Sequence, residues 1–531
     1  MSAASGSAAA YPHGIRAAPA SAELSIQNRM TEEHDIMTGP SETTTAQPQA
    51  EDLRNDTRFF GHPLPLMQLF GLEMWERFSY YGMTGILVLY LYFSTTEGGI
   101  GMDQPTAFAI VGAYGGAVFL ATVGGAWLAD RVFGAEPVLF WSAVIIMFGH
   151  IALGLVPGVI GVAVGLILVA LGSGGLKATA SAIVGTLYTE EDTRREAGFS
   201  LFYMGINIGA LLGPLVTGWL QKDIGFHIGF GAAAIGMAVG LVLYLTGRKN
   251  LPESAKIVVN PLPAGQRWRF GAGALGVIAL ITILWMTGIM NAGNLAVWTT
   301  LVCLISAVAY FTVILRSREI TEVERSRTLS FIPFVLATIA FWSLYQQIFN
   351  ALTGYSDTQL NRSIFGWEMP ISWITLIPAF FVIALAPVFS AIWLKLGDRQ
   401  PATPIKAGLS LLIIGGAYLL FLPYAHAQNN TVPLLWVVFI LALFVVAELL
   451  ISPIGLSVAT RLSPKVFTSQ MIALYFLGSG VGTSLSGVFA KYYDADNQVP
   501  YWTTLGLASI AVGLIVVLTA KPVIRLMRGV K

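Results

Sequence analysis

Charge is scarce in this chain, and cysteine is almost missing. Asp, Glu, Lys and Arg make up 11% of the 531 residues, against roughly 25% in soluble domains. Hydrophobic residues make up 55%, so the chain is read as an all-α membrane protein. The single cysteine, Cys303, excludes an intramolecular disulfide framework and any cysteine-based metal site, and gives redox chemistry no footing. A formal net charge of +1 leaves no broad field to attract nucleic acid. No Ser-His-Asp set or metal-ligand cluster stands in register, so an enzyme is not expected, and neither is a metal or cofactor.

Residues 1–58 are rich in Ala, Ser, Thr, Pro, Gln and Glu and lack an apolar run long enough for a signal peptide. They read as a disordered cytoplasmic tail, with Met30 and Met37 as alternative starts. A bilayer core of about 30 Å takes roughly 20 apolar residues of helix. Spans on that scale begin near residues 66, 106, 136, 158, 195, 226, 270, 295, 327, 368, 403, 431, 467 and 501, about 14 in all. Of the 30 Lys and Arg residues, only Lys222, Arg362 and Lys491 fall on the face away from the termini, and Arg77 and Lys177 lie within spans. Basic residues mark the cytoplasmic side, which puts both termini there.

WLADR at 127–131 returns as WLKLGDR at 393–399, an offset of 268 between Asp130 and Asp398. That offset divides the chain into six-helix bundles at 59–248 and 327–531, joined by a linker, 249–326, with two extra helices. Parallel halves of this kind, with a site between them, are the architecture of the major facilitator superfamily. A similar offset carries Lys177 to Glu448, so these two buried charges are expected to face each other across a central cavity.

An ionised side chain at mid-bilayer costs about 2.5 to 3.5 kcal/mol on insertion scales and persists where it has a partner or a function. Here the set is Glu73, Glu76, Arg77, Lys177 and Glu448. In GLEMWERFSYYGM, Glu73, Glu76, Arg77, Tyr80, Tyr81 and Thr84 form one helical stripe, expected to line the cavity. Two glutamates and one arginine leave a spare carboxylate, a natural proton site; the alternative is a structural ion pair. Tyr203 and Asn207, and Glu448 and Ser452, are further i, i+4 pairs, although Asn207 could simply bond a neighbouring helix. Gly205, Gly209 and Gly213 suit close helix packing. GSGGLK at 172–177 lacks the GK[ST] of a phosphate loop. His150 reads as a satisfied or pore-distant histidine.

These stretches resemble a known family. ExxERFxYYG at 73–82, GAWLADRVFG, FYMGINIGALL and AELLISPIGLS are similar to motifs of the proton-dependent oligopeptide transporter family, over roughly residues 60–525. The resemblance implies proton-coupled import of di- and tripeptides by alternating access through a bacterial plasma membrane. The partners it implies are small peptides, protons and the lipid bilayer, and the coupling ion is the proton. By this resemblance Glu73, Glu76 and Arg77 couple protons. Arg77, Tyr81 and Lys177 meet the peptide carboxylate, and Glu448 and Asn207 meet its amino group. Tyr80, Tyr203, Trp342 and Ser452 match pocket positions, and Lys177 and Glu448 match a cytoplasmic gate.

Several positions depart from the family pattern. Thr84 and Gln346 stand where members place an arginine and its acidic partner at the outer gate, so that gate must close by other contacts. Ile377, Tyr475, Thr483 and Phe119 replace Asn, Trp, Asn and Tyr, which predicts a more apolar cavity. The alternative function is transport of another small amphoteric solute, such as a modified amino acid, a peptide-like antibiotic or another carboxylate. A non-transporting sensor or scaffold is a third reading, against which the proton stripe stands.

Overall fold

The computed structural model describes residues 53, 55–189, 192–427 and 430–530, without the side chains of Ala264 and Asp398. The expected tail therefore lies outside the described residues up to 52. Its last stretch, however, is packed rather than loose. Asp56 accepts from the Leu64 backbone N–H at 2.9 Å, Arg194 donates to the Asp56 and Gly61 carbonyls, and His62 Nδ1 lies 2.9 Å from the Tyr188 hydroxyl. The folded chain begins before residue 59 because these contacts fasten the start of the first helix.

Among the described residues six long helices come first: α1 (Leu64–Tyr92), α2 (Gln104–Leu128), α3 (Ala135–Leu155), α4 (Gly158–Thr186), α5 (Arg195–Asp223) and α6 (Phe226–Gly247). Two more follow, α7 (Ala264–Met286) and α8 (Leu295–Arg316). The remainder comprises α9 (Glu322–Tyr345), the short α10 (Ala351–Thr358), α11 (Leu376–Leu396), α12 (Thr403–Leu419), α13 (Leu434–Arg461), α14 (Thr468–Ala490), α15 (Val499–Leu518) and the short α16 (Ala520–Leu526). Among the described residues thirteen helices are long and apolar enough to cross a membrane. At 29 residues α1 is also long enough; its two glutamates and arginine lower its hydropathy.

Local chemistry sets the ends. Asp103 caps α2 by accepting from Thr106 N–H at 3.0 Å, and Thr321 and Glu324 form a capping box at α9. That box starts α9 at residue 322, ahead of the expected 327. The span expected from 368 begins instead with a 3-10 turn, Ile371–Thr375, and then α11. Residues 363–368 are taken up by a small antiparallel hairpin, Ser363–Ile364 with Trp367–Glu368, which turns at Gly366 (φ 85°).

α1 packs on α5 and α6, α3 on α4, and α12 on α15; α2 and α14 cross where Gly112 meets Gly487. A Cβ on Gly112 would lie 2.4 Å from the Gly487 Cα, so this approach requires glycine. α8 seats against α2 and α14, with Thr300 donating to Ser484 Oγ at 2.9 Å. The apolar stretch of α7 has no buried residue, consistent with a lipid-facing helix. The segment leading into α7 is not free, because Asn260 and Leu262 N–H donate to the Asp130 and Arg131 carbonyls at 2.9 Å.

Candidate functional site: a charged cavity between the two groups of helices

The charged stripe of α1 divides into two parts. Arg77 donates from Nε and Nη2 to Glu73 Oε1 at 2.8 and 2.7 Å, and its Nε is 3.1 Å from Glu76 Oε2. Ser173 on α4 donates to Glu76 Oε1 at 2.9 Å. All three ionisable residues are buried, Glu76 completely, and none lies on the cavity wall. The expectation that the whole stripe lines the cavity is therefore corrected. The arginine turns onto its own carboxylates one turn away, where opposite charge meets the desolvation cost, and only Tyr80, Tyr81 and Thr84 reach the cavity.

That cavity has a volume of about 180 Å³. Lys177 lines it from α4, Tyr203 and Asn207 from α5, Trp342 from α9 and Glu448 from α13. Lys177 Nζ lies 5.0 Å from the ring centroids of both Tyr80 and Phe119, a favourable cation–π position. Glu448 Oε2 is buried and has no hydrogen-bond partner. Among the described residues neither Lys177 nor Glu448 enters an ion pair. The cavity thus presents a cation and a carboxylate, each without a counter-ion.

Other expected positions are placed differently. Asn207 Nδ2 donates to the Tyr203 carbonyl of its own helix at 2.9 Å, not to a neighbouring helix. Ser452 is absent from the wall, and its Oγ is buried without a partner. Arg77 is absent too, held by its glutamates. Among the departures, Phe119, Gln346 and Thr483 line the cavity, and Pro378 lines it in place of Ile377. Tyr475 instead fills the space beside Gly455, where a Cβ would meet its ring at 2.2 Å. His150 is absent from the cavity wall, and both its buried ring nitrogens lack partners, so it is not satisfied.

Part of the cavity is more polar than expected. Gln346 Nε2 donates to Thr483 Oγ1 at 3.3 Å, so two of the departures pair with each other. Asn350, Ser486 and Thr375 also line the wall. Sequence reasoning missed Tyr114, Tyr345 and Asn350 on the wall and Ser173 behind it. Ser173 stood in plain view, one helical turn before Lys177 in GSGGLK. Tyr345 follows Trp342 at i+3, the spacing that puts two residues on one helix face.

Contacts between the first and last groups of helices gather at the face opposite the termini. Tyr92 donates to Asp357 at 2.8 Å, Trp373 Nε1 to the Leu215 carbonyl at 3.1 Å, and Lys222 to the Glu368 carbonyl. Tyr81 and Phe349 stack on the cavity wall with centroids 6.4 Å apart. Toward the face of the termini Tyr203 is 56% exposed.

Residues 137–505 match the model of the POT family. The chain belongs to the POT family. An uncharacterized transporter of Bacillus subtilis is 39% identical over 89% of this chain and 96% of its own length. A di-/tripeptide transporter of Lactococcus lactis is 36% identical over 90% of this chain and 99% of its own. A crystal structure of a POT peptide transporter with sulfate matches with a TM-score of 0.87 at 39% identity, covering 91% of this chain and 99% of that one. One of a POT family transporter with 5-aminolevulinic acid matches with a TM-score of 0.83 at 36% identity, covering 88% and 98%. This POT family chain is a multi-span membrane protein of a transporter family.

Proposed function

We propose that the chain is a proton-coupled symporter that imports di- and tripeptides by alternating access across a bacterial plasma membrane, with both termini in the cytoplasm. The observation that carries this reading is the pair of unmatched charges on one cavity, Lys177 and Glu448. A zwitterionic ligand supplies both counter-ions at once, its carboxylate toward Lys177 and its ammonium toward Glu448. With neither charge paired to the other, entry of the ligand breaks no ion pair.

In this account Glu73, Glu76 and Arg77 act from behind the wall. Protonation of one carboxylate changes how firmly Arg77 is held, and Ser173 and Tyr80 relay that change to α4 and to the cavity. Lys177 and Glu448 close on each other at the cytoplasmic side when the substrate leaves. The halves 59–248 and 327–531 rock about the site, with 249–326 as the connection. One charge moving through 100 mV is worth about 2.3 kcal/mol, enough to drive net accumulation.

Uptake of labelled dialanine and dileucine by proteoliposomes tests this reading. Wild type is expected to take up at least one of them, and Lys177→Ala and Glu448→Ala to take up neither. A second reading follows from the altered pocket and from the solved relative that holds 5-aminolevulinic acid. It has the chain carrying a small amphoteric solute other than a peptide, and uptake of 5-aminolevulinic acid without uptake of either peptide would favour it.

A further inference from the structure

A broken helix interrupts the cavity wall. α9 ends at Tyr345, a 3-10 turn covers Gln346–Phe349, and α10 resumes at Ala351, leaving Asn350 between them at φ −125° and ψ −107°. Irregular backbone is tolerated within a membrane where it is buried in protein or lines a cavity. The backbone of Asn350 is answered: its N–H donates to the Gln347 carbonyl at 3.0 Å, and its carbonyl accepts from Thr353 and Gly354 N–H at 3.1 Å.

The side chains of this turn are answered as well, with one exception. Gln347 Nε2 donates to the Ser343 and Ser486 carbonyls, and its Oε1 accepts from the Tyr501 hydroxyl at 2.9 Å. Asn350 Nδ2 donates to Ser486 Oγ at 3.0 Å. Asn350 Oδ1 has no partner, although the residue is 1% exposed.

The orientation of this amide is fixed. Ser486 Oγ donates its only hydrogen to the Thr483 carbonyl at 2.7 Å, so toward Asn350 it can only accept. Nitrogen must therefore face Ser486, and oxygen is the unmet atom. A buried acceptor left without a donor is unfavourable; Asn350 lines the cavity, and its Oδ1, covered as the side chains stand, is satisfied when an entering group displaces its neighbours and supplies an N–H or O–H. Its neighbours Gln346, Thr483 and Ser486 are neutral, and none offers the counter-charge that a desolvated cation needs.

We propose that Asn350 is a specificity-determining residue, whose Oδ1 selects substrates that present a neutral hydrogen-bond donor, a carboxamide or hydroxyl side chain, at the helix break. This rests on the peptide-transport reading. A glutamine side chain meets the requirement, whereas methionine, of similar length, fills the same space and leaves the oxygen unmet. Sites built to bond a polar group reject analogues that lack it far more strongly than apolar pockets reject an extra group.

The test is competition of alanyl-glutamine and alanyl-methionine against uptake of labelled dialanine into proteoliposomes. Wild type is expected to favour the glutamine peptide by about fivefold or more, the factor that about 1 kcal/mol produces. Asn350→Ala and Asn350→Leu, two variants of different bulk at the same break, are expected to bring the ratio to about one. Equal inhibition by the two peptides in wild type overturns the inference without needing any variant, and so does an unchanged ratio in either folded variant. Absence of dialanine uptake by wild type is a separate result, which overturns the peptide-transport reading and this inference with it.

Discussion

The Tyr92 hydroxyl at the end of α1 donates a 2.8 Å hydrogen bond to Asp357 on α10. It joins the first group of helices to the last at the face opposite the termini, about two turns of α1 beyond Thr84 on the cavity wall. A hydrogen bond to a charged acceptor contributes about 1.5 to 3 kcal/mol. Tyr92→Phe is therefore expected to open that face more often. A cysteine introduced as Thr84→Cys should then react about tenfold faster with an impermeant maleimide added from that side, as a shift of about 1.4 kcal/mol gives. Unchanged labelling would show that the face is held by other contacts.

Removing one partner from a buried ionic cluster costs more than the cluster itself contributes. Arg77→Ala would leave Glu73 and Glu76 facing each other without their cation, at a cost of about 3–5 kcal/mol. Ser173→Ala removes only one hydrogen bond to Glu76, about 1.5 to 3 kcal/mol. Thermal unfolding in detergent should rank the two variants in that order, with Arg77→Ala the less stable.

Glycine spacing on α5 gives a steric prediction. A Cβ on Gly209 would lie 2.1 Å from the Met74 carbonyl oxygen and 2.9 Å from Arg77 Cβ, whereas nothing lies within 4 Å of one on Gly124. Gly209→Ala is expected to destabilise by about 1–3 kcal/mol, as overpacking does, and to disturb the α1 cluster. Gly124→Ala, in an open part of α2, should stabilise by about 0.5–1 kcal/mol. Melting temperatures of the two variants check both signs.

The clasp before α1 responds to pH. Burial and the neighbouring Arg194 charge hold His62 below the ordinary histidine range, with Asp192 opposing. Since the folded state disfavours the proton, its stabilisation is fully present above the unfolded pKa of about 6.5 and declines as pH falls below it. Asp56 works the same way at lower pH: hydrogen bonding from Arg58 holds it well below the carboxylate range, so its contribution is lost on acidification. Protection factors for hydrogen exchange in residues 56–62, measured against the intrinsic rate at each pH, should fall between pH 7.5 and 5.5. His62→Asn should remove most of that dependence.

Much of the architecture could be read in the sequence, because bilayer thickness and the 3.6 period act on local stretches. The offset that relates Asp130 to Asp398 led from Lys177 to Glu448, and both line one cavity. What escaped depended on distant partners. FWSLYQQIFNALTGYSDT has no proline and reads as continuous helix; its break at Asn350 is secured by Ser486, 136 positions away. Tyr92 and Asp357 are 265 positions apart. The stripe on α1 was visible, but helical spacing could not show that Arg77 turns back onto Glu73 and Glu76. Tyr114 gave no signal, because its place beside Tyr80 depends on how α2 crosses α1.

The most direct measurement is the accumulation of labelled dialanine in proteoliposomes under an imposed inward proton gradient, for wild type and Glu76→Gln. Wild type is predicted to concentrate the peptide above the external level and to lose that capacity when a protonophore collapses the gradient. Glu76→Gln is predicted not to concentrate it at all. Gradient-driven accumulation that persists in Glu76→Gln would contradict the assignment of the α1 cluster as the proton-coupling element.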